Sequence, residues 1–214
     1  MLLDDICTNL QKGKAKDVKA QVQEALDAGI DPVEILNKGM LEGMNIIGIK
    51  FQNNEIYVPD VLIAARAMNA GMELLKPVLN AKGVKADGKV CIGTVKGDLH
   101  DIGKNLVRMM MEGAGLEVLD LGVDVSAEKF VSTAKNEGCD IICCSALLTT
   151  TMVEMKNVVE AAVAEGIRDK VTIMVGGAPI TDKFCKDIGA DIYTADAASA
   201  AQEAAKVIKA KKKA

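Results

Sequence analysis

The sequence predicts an α/β protein in which a small helical bundle precedes a doubly wound parallel sheet. Two rhythms along the chain and one feature of composition carry that prediction. From residue 1 to about residue 82, apolar residues recur every three or four positions, the period of amphipathic helices. From Gly88 onward, short apolar runs alternate with helix-length segments, the pattern of βα units. Half of the 214 residues are hydrophobic, yet aromatics make up only 2%, with no Trp, three Phe and two Tyr. A chain of this size and apolar content builds its core without disulfide staples. Filling that core falls to Ala, Val, Ile, Leu and eleven Met, small and flexible side chains that suit close helix packing and the lining of a large cavity.

Taken in order, Leu3, Ile6 and Leu10 mark a first helix, and Val18, Val22, Ala25 and Leu26 a second. Asp31 before Pro32 reads as an N-cap and first-turn pair. It opens a third helix through Val33, Ile35, Leu36, Met40, Met44 and Ile47. Val58 and Pro59 signal a further start, after which Leu62, Ile63, Ala65, Ala67, Met68, Met72 and Leu75 carry a fourth helix to Pro77. Four helices joined by short loops make a bundle, assigned to residues 1–86. Then come KVCIGTV, LEVLDLG, DIICCSALL, VTIMVGG and ADIYTA, each followed by a helix-length stretch. Such continuous apolar runs are strands buried on both faces, hence a parallel sheet. Five of them predict a flavodoxin-like, Rossmann-like sheet over residues 87–214. Ligands of these sheets bind beyond the carboxyl ends of the strands, where the loops diverge.

A net charge of −4 argues against a nucleic-acid surface, which needs a concentrated field of Lys and Arg. The run Lys209–Lys213 reads as a solvated helix end. The opening MLLDDICTNLQKGK has no basic start, sustained apolar stretch or small-residue cleavage site; neither export nor membrane insertion is expected, and a cytoplasmic location is. Six cysteines, at positions 7, 91, 139, 143, 144 and 185, form no CxxC pair, and four fall in or beside apolar runs. They read as buried reduced thiols, and zinc finds little support in a chain with one histidine.

That histidine lies in GTVKGDLHDIGKN, at the end of the first predicted strand, which puts Asp98, His100, Asp101 and Gly103 in the loop before a helix starting near Lys104. A lone histidine on an apolar helix face is usually structural. One in a Gly-bounded loop at the ligand edge of a sheet, with two carboxylates within two residues, is a candidate ligand or proton carrier. Neutral imidazole is a good axial ligand for cobalt, and a carboxylate on its other nitrogen orients it and raises its basicity; Asp98 has the reach. Gly97 and Gly103 let the loop turn and the backbone approach a bulky ligand. The third strand ends in CCSALLTTTM, bringing the hydroxyls of Ser145, Thr149, Thr150 and Thr151 to the same edge, at least one of them serving as a helix cap. The fourth ends in VGGAP, where Gly176 and Gly177 leave room against the backbone.

D-x-H-x-x-G, S-x-L and G-G on three successive ligand-edge loops resemble the cobalamin-binding pattern of the corrinoid proteins of methyltransferase systems. The segment NEIYVPDVLIAARAMNAGM is similar to the helical cap in the cobalamin module of methionine synthase and in small corrinoid proteins for methylamine or methanol use. The resemblance spans nearly the whole chain. It implies a cobalamin whose dimethylbenzimidazole has left the cobalt, its nucleotide tail threaded into the sheet and His100 in the vacated lower position. Asp98 is then hydrogen-bonded to His100, and Thr151 extends the relay. Further implied cofactor contacts are Asp101, Ile102 and Gly103, then Ser145, Leu147 and Thr149, then Gly176 and Gly177, with Tyr193, Thr194 and Asp196 closing over the nucleotide. Tyr57, Val58 and Met68 are expected either to face the methyl side of the corrin or to be ordinary bundle core.

The resemblance implies a carrier subunit rather than a complete enzyme. A donor-specific methyltransferase would load the cobalt from a methylamine or quaternary amine, or else from methanol or a methoxyarene. A second methyltransferase would pass the methyl group to tetrahydrofolate or coenzyme M, and a corrinoid reductive activase would restore the cobalt. The alternative is a cobalamin-dependent sensor, which needs an attached DNA-reading element. The small subunit of an adenosylcobalamin isomerase would not carry the helical cap. A response regulator is excluded, because Cys144 and Ser145 stand where a phosphoacceptor Asp is required.

Overall fold

A computed structural model describes residues 1–212. Two compact units make up the chain: Met1–Ala86 with Gly113–Gly115, and Asp87–Glu112 with the chain from Leu116 onward. Among the described residues no helix is long and apolar enough to cross a membrane.

The first unit contains α1 (Leu2–Gln11), α2 (Ala15–Asp27), α3 (Pro32–Glu34), a π-helical segment Ile35–Leu41, α4 (Glu42–Gln52) and α5 (Val58–Ala81). Its apolar stripes meet in a core that includes Ile6, Leu10, Val22, Met40 and Leu75. The third helix expected from the spacing is interrupted by the π segment, which carries Gly39 against α1: a Cβ there would lie 3.0 Å from Ile6 Cγ2. Asp31 stands at its N-cap position, but the side chain makes no cap hydrogen bond. Its carboxylate pairs instead with Lys82 Nζ at 3.0 Å, and Pro32 alone marks the start. In α5, Asp60 accepts from the Tyr57 amide at 2.9 Å. This helix also runs past Pro77 to Ala81. Pro77 and Glu73 are both exposed, so water can take the carbonyl that the missing amide leaves free. Tyr57 is exposed, Val58 half-buried and Met68 buried.

The second unit alternates β1 (Lys89–Thr94), α6 (Ile102–Gly113), β2 (Glu117–Asp120), α7 (Ala127–Glu137), β3 (Ile141–Ser145), α8 (Val153–Ala164), β4 (Thr172–Gly176), α9 (Asp182–Asp187), β5 (Ile192–Tyr193) and α10 (Ala197–Lys211). All pairings are parallel, in the order β2-β1-β3-β4-β5. Central strands β1, β3 and β4 are buried on both faces, whereas the edge strands β2 and β5 are only half covered. One face of the sheet packs through Cys91, Phe130, Ile142, Val158 and Ile173.

Register is what builds the site: Thr94 lies level with Ser145, and Ser145 with Gly176. After β1 the chain goes to β2 on one side, and after β2 it returns to β3 on the other. The loops that follow β1 and β3 therefore diverge at the topological switch point.

Of the lysines near the C-terminus, Lys213 lies outside the described residues. Lys211 is not merely solvated, since its Nζ donates to the carbonyls of Asp140 and Lys170, and Lys212 pairs with Asp87. The six cysteines are free thiols, all buried except Cys7.

Candidate functional site

At the end of β1 the chain turns on Gly97, whose φ of +79° suits glycine. Its amide donates to Asp124 Oδ1 at 2.7 Å, and the Asp124 amide donates to the Asp98 carbonyl at 3.0 Å. The loop after β2 thus braces the loop after β1. Thr94, the buried last residue of β1, donates its hydroxyl to the His100 carbonyl at 2.8 Å. These bonds fix the backbone on both sides of Asp98.

Asp98 is fully buried. Its Oδ1 accepts from the His100 amide at 3.1 Å and lies 2.7 Å from His100 Nδ1. Its Oδ2 accepts from the amides of Leu147 at 2.8 Å and Leu148 at 3.1 Å, and from the Thr151 hydroxyl at 2.9 Å. Burial pushes the carboxyl pKa up, but this set of donors outweighs it and holds Asp98 well below the usual carboxylate range. An anionic acceptor at Nδ1 selects the imidazole tautomer protonated there. The other nitrogen, Nε2, makes no hydrogen bond among the described residues and belongs to a ring that is 51% exposed. The arrangement is an oriented imidazole presented at the sheet edge.

Exposed apolar side chains lie on the two loops that meet at Asp98. Leu99 and Ile102 are 71% and 76% exposed, and Leu147 and Leu148 are exposed as well. Contiguous exposed apolar groups of this kind mark a binding surface. Gly103 lies in α6 with nothing within 4 Å of a Cβ built on it and with no left-handed φ. Nothing in the protein requires glycine there, so the open space is available to a ligand. Gly177 differs: its φ is +135° and a Cβ would lie 1.9 Å from the Ala146 carbonyl oxygen, so the protein's own backbone demands it. A Cβ on Gly176 would meet only the Thr194 carbonyl, at 3.6 Å.

The structure brings His100, Asp98, Thr151 and the Leu147 backbone together, with Ser145 and Gly176 level on adjacent strands. Thr151 turns inward to Asp98, whereas Thr149 and Thr150 are exposed on the same loop. The Asp101 carboxylate engages the Asn105 amide at 3.1 Å. Tyr193 packs against the sheet core. Asp196 caps α10, accepting from the Ser199 amide at 2.8 Å and hydroxyl at 2.6 Å. Sequence reasoning missed Thr94 and Asp124, although a polar residue ending an otherwise apolar strand run was a usable signal for Thr94.

A histidine held by a buried carboxylate at the switch point of a 2-1-3-4-5 sheet, with exposed apolar side chains on the adjoining loops, defines a binding protein for a large, partly apolar cofactor with an open ligand position. The chain matches the B12 binding domain family twice, over residues 88–205 and, with a second family of the same description, over residues 2–76. It is 46% identical over 191 residues to trimethylamine corrinoid protein 1 of Methanosarcina acetivorans, covering 88% of this chain and 87% of that one. It is 43% identical over 195 residues to the dimethylamine corrinoid protein of Methanosarcina barkeri, covering 90% and 91%. The methanol:cobalamin methyltransferase complex of Methanosarcina barkeri superposes with a TM-score of 0.88 at 31% identity, covering 97% of this chain and 80% of that one. The chain belongs to the cobalamin-binding corrinoid proteins.

The site fits that cofactor. A flat macrocycle calls for exposed apolar side chains beside the ligand, and Leu99, Ile102, Leu147 and Leu148 supply them. Gly103, with nothing within 4 Å of a Cβ built on it, would leave room for such a ring.

Proposed function

We propose that this chain is the methyl-carrying corrinoid subunit of a methyltransferase system, with His100 as the lower ligand of the cobalt. The single observation behind the assignment of His100 is its geometry: Nδ1 lies 2.7 Å from a buried carboxylate and Nε2 is free. When bound, the cobalt supplies the atom that takes up and gives away the methyl group. Asp98 orients the ring and keeps its proton on Nδ1. Thr151 holds Asp98 by donating to Oδ2, and the Leu147 and Leu148 amides keep the anion charged. Residues 87–214 hold the corrin, with Ile102 and Gly103 beside the ring and Ser145, Leu147, Thr149, Gly176 and Gly177 along the nucleotide tail. Asp101, Tyr193 and Asp196 are the outer contacts. Residues 1–86 are the helical cap domain of this reading.

Two relatives are named trimethylamine and dimethylamine corrinoid proteins, which supports a methylamine or quaternary amine as the methyl donor. A methyltransferase complex among the superposing structures supports a donor-specific methyltransferase as one partner. The acceptor methyltransferase, delivering to tetrahydrofolate or coenzyme M, and a reductive activase complete the proposed cycle. Six free thiols suit the reducing cytoplasm.

Reconstitution with hydroxocobalamin tests this. Wild-type protein should bind one equivalent with a base-off, histidine-ligated visible spectrum, and His100→Ala should lose that ligation signature. Identical spectra for the two proteins would remove His100 from the cobalt.

A further inference from the structure

Four polar side chains are buried among the described residues, and all belong to the carboxyl-edge region of the sheet: Thr94, Asp98, Lys104 and Thr151. Thr94 holds the His100 carbonyl, Asp98 the ring, and Thr151 holds Asp98. The hydrogen bonds of Lys104 go elsewhere. With 2% of its side chain exposed, its Nζ donates to Asp120 Oδ1 at 2.6 Å and to Asn105 Oδ1 at 2.9 Å. This is a demanding place for a lysine. A cation in the first turn of a helix opposes the helix dipole, and a buried ammonium loses its hydration. A methionine of similar length would pack there with neither penalty.

What the pair connects explains the choice. Asp120 is the last residue of β2, level with Ile92 of β1. Its Oδ1 also accepts from the Gly122 amide at 2.9 Å, and the Gly122 carbonyl accepts from the Thr94 amide at 3.0 Å. Arg108, one turn further along α6, approaches Oδ2 at 3.4 Å. The ion pair thus fastens the first turn of α6 to the end of β2 and, through Gly122, to the residue whose hydroxyl holds the His100 carbonyl. His100 lies two residues before α6 begins. Its loop is held from the strand side by Thr94 and from the helix side by Lys104.

We infer that Lys104 is a positioning residue for His100: its pair with Asp120 anchors the start of α6 and so sets the reach of Nε2 toward the cobalt. This rests on His100 being the lower ligand. Loss of the anchor leaves the corrin surface and the bonds from Leu147, Leu148 and Thr151 to Asp98 in place but loosens the α6 side of the loop that carries the ring. Binding of the corrin and ligation by histidine should therefore separate.

The test reconstitutes wild type, Lys104→Met, Asp120→Asn, Lys89→Met and His100→Ala with hydroxocobalamin. Ligation is read from the visible spectrum and from nitrogen splitting in the EPR spectrum of the reduced cobalt(II) form, and folding from thermal melts without cofactor. Lys89→Met is the control, because Lys89 pairs with Glu117 at 3.3 Å and joins the same two strands at their other ends. Lys104→Met and Asp120→Asn should still bind cobalamin while the ratio of ligated to unligated cobalt falls about tenfold, in the range for groups that orient a metal ligand. Lys89→Met should leave that ratio unchanged. A lowered melting temperature with unaltered ligation in Lys104→Met would make the residue merely structural and overturn the inference. Should Lys104→Met fail to fold, Asp120→Asn, which keeps an acceptor for the Gly122 amide, decides by the same criterion. Wild type that matches His100→Ala defeats the ligand assignment itself, an outcome distinct from histidine-ligated wild type with an indifferent Lys104.

Discussion

Replacing Asp98 by Asn removes one charge from a fully buried group without changing its size, and the geometry dictates how the amide must sit. Three donors, the Leu147 and Leu148 amides and the Thr151 hydroxyl, converge on Oδ2, against the His100 amide and ring nitrogen on Oδ1. The oxygen of the substituted side chain takes the three-donor side, which turns its NH2 toward His100. The His100 amide then loses its acceptor, at about 1–3 kcal/mol for a polar group left unsatisfied, and three charge-assisted bonds become neutral ones. Together these destabilise the fold by about 3–5 kcal/mol near neutral pH. Because the folded pKa of Asp98 is lowered, its stabilisation is complete above the ordinary carboxylate range near pH 4 and is lost as pH falls below it. The gap between wild type and Asp98→Asn should narrow on acidification. An NH2 facing Nδ1 also reverses the ring, placing the proton on Nε2 and withdrawing the lone pair proposed for cobalt. Urea unfolding across pH 3–7 measures the first effect. Nitrogen shifts of the single histidine measure the second, free of overlap. A stability change under about 1 kcal/mol, or Nε2 still unprotonated in the neutral ring, would refute the reasoning.

Gly103→Ala should separate folding from binding. A Cβ there meets nothing, and alanine favours a helix over glycine by up to about 1 kcal/mol, so thermal stability should hold or rise slightly. A methyl group in the space left for the corrin should weaken cobalamin binding about tenfold by overpacking; unchanged affinity in a titration would show that the ring does not pass over Gly103. Burial pushes the Cys143 thiol up to about 12 and raises Cys144 as well, with the neighbouring thiol adding to the effect. At pH 8 an aromatic disulfide reagent with peptide mapping should find both unlabelled in the native protein, with half-buried Cys7 reacting first; rapid native labelling of either strand cysteine would contradict the packing of β3.

The ligand edge was legible because its signals are local. An apolar strand run ending at Val95, a turn glycine at Gly97 and the only histidine stand within six residues, and the same strand-end logic located Ser145 and Gly176. Lys104 could not be read in this way. Its partner Asp120 is 16 residues away on a strand whose register with β1 is a tertiary fact, and a lysine early in a helix looks from sequence like a solvated charge. Spacing pointed to hydroxyls at Thr149, Thr150 and Thr151 without choosing among them; the family resemblance singled out Thr151, whose hydroxyl does donate to the Asp98 carboxylate at 2.9 Å. Pro77 and Asp31 misled for a related reason. The helix-stop and cap rules assume that backbone groups must be satisfied locally, whereas water can serve the turn at Pro77 and Lys82 takes the Asp31 carboxylate. Local rules therefore find the residues that carry chemistry, while the residues that position them are defined by partners distant in sequence. Lys104 and Asp120 form the clearest such pair here, and substituting either should disturb ligation more than it disturbs the fold.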